Sequence, residues 1–290
     1  MINLLGTLSD SYRIRFSVFV LTGVFLIICS PTYPQSYRNC DVENKFYILW
    51  GYNRSVYSRS DISFTGTQYN FVLEGVEAKD RQSKFDYSLY FNPAKMTIPQ
   101  YNFIVGYYLT DRLSISLNID HMKYVMVQNQ TASISGQISN SNSVYSGTYN
   151  AREIKLTKDF LEFEHTDGLN YISMSLDRYF PLISNRSQSA CIGLIGGIGA
   201  GCLIPRSNIL FLNDGTDEFH LAGYGFSGHA ALVITLYNRL EIQYKVKSGF
   251  INLPDIVVNG KKNPGRASQR FWFIESMGVI GAVFILKTNN

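Results

Sequence analysis

A chain of 290 residues could hold one large or two ordinary domains, and no run of linker composition divides it, so one domain is expected. Charged residues make up 17% and aromatics 14%, with 20 Tyr and 19 Phe, against roughly 25% charged residues in an ordinary soluble domain. The net charge of +4 is small and its basic residues are scattered, which excludes the basic footprint of a nucleic-acid binder.

Taken in order, the N-terminus carries Arg13 and Arg15, then an apolar run from Phe16 to Ile28. That run has the length of a signal-peptide core and falls short of the ~20 residues of a spanning helix. The sequence therefore predicts a signal peptide over residues 1–34 and an exported domain over 35–290. Cys29 follows Leu26-Ile27-Ile28 in the manner of a lipoprotein signal, but bulky Ile28 stands where such signals carry a small residue. Cys191 and Cys202 are eleven apart on one expected strand and so face opposite sides. No disulfide framework and no thiol metal site are expected.

Period-two alternation dominates the rest. A first strand is expected from about Lys45 to Tyr57, with Phe46, Ile48, Trp50 and Tyr52 on one face. A long connection, 58–100, follows, with a hairpin around Tyr69 to Val76. The second strand is Tyr101 to Leu109, and Thr110-Asp111-Arg112 turns tightly into a third, where Leu113, Ile115, Leu117 and Ile119 alternate with Ser114, Ser116, Asn118 and Asp120. A polar connection, 129–168, leads to a fourth strand, Leu169 to Phe180, and a fifth, Ala190 to Ile204. After a medium loop, 205–219, come Leu221 to Leu236, Arg239 to Leu253 and Ser268 to Lys287. Between Leu240 and Lys247 the alternation is unbroken: Leu240, Ile242, Tyr244 and Val246 on one face; Glu241, Gln243, Lys245 and Lys247 on the other.

Connections run long, short, long, short, medium, short, medium. That is the rhythm of a barrel with tight turns at one end and loops at the other. The expected fold class is therefore all-β: a transmembrane antiparallel up-and-down β-barrel of about eight strands with long extracellular loops and both termini periplasmic, in a bacterial outer membrane. A secreted β-sandwich or lipocalin-like barrel is the alternative. Eight strands leave an interior just wide enough for side chains to fill. The inward set includes Asp120, Asp177, His229, Glu241, Gln243, Lys245, Lys247 and Glu275, read as an internal polar network; a narrow small-solute channel would use the same residues. Gly197, Gly199 and Gly201, with Gly223 and Gly225 next to His229, would form a wall without side chains. It either receives bulky residues from opposite strands or leaves a slim ligand pocket. As a nucleotide fingerprint the glycine run fails, since no helix follows it.

The four His are His121, His165, His220 and His229. His165 and Asp167 lie in Phe163-Glu164-His165-Thr166-Asp167-Gly168-Leu169-Asn170, where a base, a hydroxyl and a carboxylate are the ingredients of acyl transfer. This segment resembles the His-x-Ser-Asn-Ala-Gly stretch of outer-membrane lipid A deacylases, which hydrolyse an acyl ester with a His and Ser pair. Asp167 stands where that Ser would be, and cannot replace it. Parity puts His121 outward and Asp120 inward, so no metal site is expected from His121, His165 and Asp167.

The segments Trp50-Gly51-Tyr52-Asn53-Arg54, Asp120-His121-Met122-Lys123-Tyr124, Phe163 to Asn170, His220 to Gly225 and Ile251-Asn252-Leu253-Pro254-Asp255 resemble those of uncharacterised outer-membrane β-barrel proteins of Bacteroidota-type Gram-negative bacteria. The resemblance implies a barrel and its location and supplies no activity. It departs at the tail, where such barrels usually end in an aromatic residue and this chain ends Leu286-Lys-Thr-Asn-Asn290. The expected function is non-enzymatic, in envelope structure or surface recognition, with a hydrolase centred on His165 as the rival. The expected partners are outer-membrane lipid, lipopolysaccharide and the barrel insertion machinery, with no cofactor and an unknown surface ligand.

Overall fold

The computed structural model describes residues 45–139, 143–185, 187, 189–212, 214–258 and 265–285. The signal segment expected at 1–34, with Cys29, lies outside them. In chain order the described strands are β1 (Lys45–Tyr57), β2 (Ser60–Gly66), β3 (Tyr69–Val76), β4 (Ala78–Lys79), β5 (Tyr101–Thr110), β6 (Leu113–Met126), β7 (Thr131–Ile138), β8 (Gly147–Lys155), β9 (Leu161–Ser184), β10 (Ala190–Leu203), β11 (Arg206–Phe211), β12 (Asp214–Phe219), β13 (Gly223–Leu236), β14 (Leu240–Val257) and β15 (Arg266–Ile285). A one-turn helix, α1 (Tyr87–Tyr90), sits between β4 and β5.

Among the described residues eight strands pair in the order β1-β5-β6-β9-β10-β13-β14-β15, all antiparallel. β15 then returns to β1, from Lys45 opposite Ile285 to Tyr57 opposite Phe273. The sheet is thus a closed barrel, which leaves none of these strands with a bare edge.

Turn chemistry marks one end. Arg112 and Leu113 donate their backbone N–H groups to Thr110 Oγ1 at 3.2 and 3.0 Å, closing the β5–β6 turn. In the β13–β14 turn, Tyr237 and Asn238 take left-handed φ angles of 53° and 54°, and Arg239 N–H donates to Leu236 O at 3.0 Å. This mirror-image turn matches the twist of the strands it joins. Lys45 and Ile285, the first and last described strand residues, pair at this same end.

At the other end the connections build a cap. β2 extends the sheet from the top of β15 and continues through β3 and β7 to β8. β11 pairs the top of β9 on one side and β12 on the other. The two parts meet over an aromatic core: Phe211 lies 5.4 Å from Phe71, 4.8 Å from Tyr69 and 5.8 Å from Phe160, ring centre to ring centre. Phe64, Phe71, Ile134, Phe160 and Ile209 are buried with it. A hairpin was expected around Tyr69 to Val76, where β3 pairs with β2; 129–168 and 205–219 were expected only as connections, and they hold β7, β8 and the first residues of β9, and the β11–β12 hairpin.

The alternation of the eight barrel strands is observed as expected. Leu117, Met174, Leu176, Ile198, Leu232, Tyr244, Ile280 and Phe284 face outward and are exposed, while Ser116, Ser175, Lys245 and Glu275 are buried. An apolar outside and a polar inside is the arrangement a bilayer demands of a barrel wall. Cys191 faces inward and is disulfide-bonded, which corrects the expectation that the chain carries no disulfide. Cys202, on the opposite face, is free.

Candidate functional site

The inward polar residues form a lattice. Lys247 on β14 makes an ion pair with Asp120 on β6. Asn102 on β5 donates to Asp120 Oδ1 at 2.7 Å and to Glu275 Oε1 on β15 at 2.9 Å, tying the two carboxyls together. Asn53 and Gln100 extend this chain of amides toward the cap, at 3.0 and 3.2 Å. A second group joins His229 Nε2 on β13 to Asp177 Oδ1 on β9 at 2.8 Å, with Ser116 Oγ donating to Asp177 Oδ2 at 3.1 Å. Gln243 donates to Glu241 at 2.6 Å. Lys245 is buried in the same interior, on the inward face of β14 between Gln243 and Lys247. All eight residues expected in the interior are buried there.

This lattice is closed at both ends. Toward the turns, Tyr47, Tyr108 and Tyr179 cross the interior, the first two rings 5.2 Å apart and the second pair 6.3 Å apart. Toward the cap, Tyr57, Tyr124 and Phe271 pack with ring centres 5.0 to 5.6 Å apart and continue into the cap core. Charges held in a low-dielectric interior need partners: Lys247 pairs with Asp120 and His229 with Asp177, while among the described residues Glu275 Oε2, His229 Nδ1 and Gln243 Oε1 are buried without a hydrogen-bond partner.

The glycine wall is occupied. A Cβ on Gly197 would collide with the Asp177 and His229 side chains, and one on Gly199 would lie 2.6 Å from Ser175 Oγ. At Gly225 the neighbour is the Tyr171 ring, whose hydroxyl donates to Gly225 O at 3.1 Å. At Gly201 and Gly223 a Cβ would strike the backbone of Ile172 and Asn252. The absent side chains make room for the Asp177–His229 pair and Tyr171 and for close strand contact, not for a ligand of the slim kind considered from the sequence.

His165 and Asp167 do not converge. Tyr124 pairs with His165 and Met122 with Leu169, so β9 carries extra residues opposite Lys123. This bulge, with Gly168 at φ 119°, turns Asp167 outward to meet Arg206 at 2.9 Å while His165 points inward. Instead His165 Nδ1 lies 2.9 Å from Ser207 Oγ on β11, a partner that the sequence did not reveal. The His165 ring is fully buried between Tyr124 and Phe163, and burial pulls its pKa from 6.5 to about 3. Held neutral by burial, with Nε2 unpartnered among the described residues, the ring falls short of the base strength that acyl transfer at neutral pH needs. His121 faces outward as expected, stacked on Tyr101 at 4.8 Å with Nδ1 2.8 Å from Asn170 Oδ1. His220 pairs with Asp255 at 2.8 Å on the cap surface.

Fold and interior together define a class: a closed eight-stranded barrel, apolar outside, filled with a polar lattice and capped at its loop end. No protein-family model and no curated protein matches the chain. Among solved structures it is similar to Ail, the attachment invasion locus protein of Yersinia pestis, at 12% identity over 83% of this chain and 99% of that one, with a TM-score of 0.35. It is also similar to the outer membrane protein OprG from Pseudomonas aeruginosa, at 10% identity over 85% and 98%, TM-score 0.38. Neisserial surface protein A gives 10% over 82% and 99%, TM-score 0.34. The barrel assignment is carried by this chain's own strand pairing.

Proposed function

We propose that this chain is a non-enzymatic barrel of a Gram-negative outer membrane, of the Bacteroidota type that its sequence segments resemble, serving surface recognition or envelope structure through its cap. The observation that carries this reading is the interior, filled by buried polar side chains between two aromatic layers. Among the described residues side chains fill the interior and His165 is buried, so this reading puts the exposed outside of the cap to use. Lipid and lipopolysaccharide would surround the belt, and the long connections would face the medium with both termini in the periplasm. Protease added to intact cells tests this orientation: cleavage within the exposed β8 or β12 strands supports it, and a cap cut only after cell lysis contradicts it.

The hydrolase reading keeps one observation in its favour, the 2.9 Å contact between His165 and Ser207. Mass spectrometry of lipid A from cells with and without the protein decides it; an unchanged acyl pattern removes it. A silent planar bilayer removes the channel reading in the same way.

A further inference from the structure

The connection from β4 to β5 carries a row of apolar side chains on the outside of the molecule. Phe85, Tyr87, Phe91 and Ile98 are 66%, 74%, 70% and 52% exposed, an unusual display for a soluble surface. The segment is pinned to the wall where Tyr52, the last aromatic of the outward row on β1, donates its hydroxyl to Tyr90 O, with the two rings 4.8 Å apart. Phe85 and Tyr90 rings lie 5.4 Å apart and Tyr87 and Phe91 5.7 Å apart, so the aromatics form one ledge.

Beneath this ledge runs a groove of about 670 Å³. Its roof is Tyr90, Phe91, Pro93 and Met96, and its floor is the outward face of β1, β15 and β14, including Trp50, Tyr244 and Ile280. At the centre of the floor is Gly278, where an added Cβ would meet nothing within 4 Å. An outward glycine here leaves a slot in a wall otherwise lined by large apolar groups. Lys84 and Lys95, on the ledge segment, and Arg54, two residues beyond Tyr52 on β1, are all exposed, with Asp86 near Lys95.

We propose that the ledge lies in the boundary of the outer leaflet and that the groove beneath it holds an acyl chain of an anionic lipid, lodged over Gly278. Aromatic rings with one wet and one dry side are favoured at that depth, and exposed basic side chains on the same segment suit a phosphate headgroup. The groove opens on the wall that the membrane reading places in hydrocarbon, so a hydrocarbon chain is the occupant its chemistry selects. This inference rests on that membrane reading and adds a preferred lipid position to it.

The test uses the full-length barrel in vesicles of anionic phospholipid carrying a photoreactive acyl chain, with cross-linked residues mapped by mass spectrometry. Labelling should concentrate on Tyr90 to Met96, Tyr244 and the strand around Gly278, several-fold above the wall at Leu117 and Met174. Gly278→Phe, which has room for its ring, should abolish this excess while labelling at Leu117 and Met174 persists. Even labelling around the wall, or an excess that survives Gly278→Phe, overturns the groove and leaves the barrel reading intact. Labelling absent from the whole wall overturns the membrane reading and the groove with it.

Discussion

The Lys247–Asp120 pair offers the sharpest test of the filled interior. Both side chains are essentially inaccessible, at 1% and 0% exposure. Asp120→Leu removes the carboxylate and strands an ammonium between β5 and β15. Breaking a buried pair from one side costs ~3–5 kcal/mol, because a desolvated charge is left behind. Glu275, linked through Asn102 at 2.9 Å, stands near enough to take over part of the pairing, which places the cost near ~3 kcal/mol. Lys247→Met should cost as much, since Asp120 then keeps Asn102 but loses the only cation that it contacts directly among the described residues. The double variant, Asp120→Leu with Lys247→Met, loses both charges together and should be far less destabilised than the sum, with a coupling of ~2–3 kcal/mol. Urea unfolding in lipid vesicles, followed by tryptophan fluorescence, measures all four corners of the cycle. Single variants that each cost under about 1 kcal/mol, or a double variant equal to the sum, would refute the claim that Lys247 and Asp120 form a desolvated pair.

Other consequences are as direct. Gly197→Leu should block assembly, because the new side chain must displace the buried Asp177–His229 pair, whereas Gly278→Phe should fold normally; heat-modifiable gel mobility separates the two. Phe211→Ala removes a ring from the cap core and should cost ~3–5 kcal/mol, seen as faster proteolysis of the cap while the membrane strands stay protected. The cap should also weaken on acidification. His165 has a folded pKa of about 3, below its ordinary 6.5, so the unfolded cap binds the extra proton. The stability of the neutral ring is whole above pH 6.5 and drains away as pH falls toward 3. Limited proteolysis from pH 7 to 4 should show this opening, and His165→Gln should flatten it.

How much of this was legible depends on the range of the cause. Face assignment needs only neighbours in sequence, so the alternation of Glu241 to Lys247 and of Ser114 to Asp120 placed the lattice residues inward correctly. The hairpins of the cap were harder to see. In β7, Ser135, Gly136 and Gln137 dilute the apolar set of Ala132, Ile134 and Ile138, and β12 is nearly all polar. His165 and Asp167 share a parity yet face opposite ways, because the bulge at Gly168 resets the count and nothing before it announces the bulge. The glycine wall was read from one strand at a time. What fills it comes from Asp177, His229 and Tyr171 on neighbours, so occupancy was a question of three dimensions.

The central claim, that the apolar side of the wall meets hydrocarbon, has a native reporter. The chain has two tryptophans, and both face outward near the cap: Trp50 stacked on Tyr101 at 4.6 Å, and Trp272 against Phe250 at 5.3 Å. Fluorescence of the unmodified protein in vesicles of brominated phospholipid should be strongly quenched, more by bromine near the headgroups than by bromine at the chain ends. Emission unaffected by bromine at any depth would mean that these faces do not touch lipid, and the account would fail.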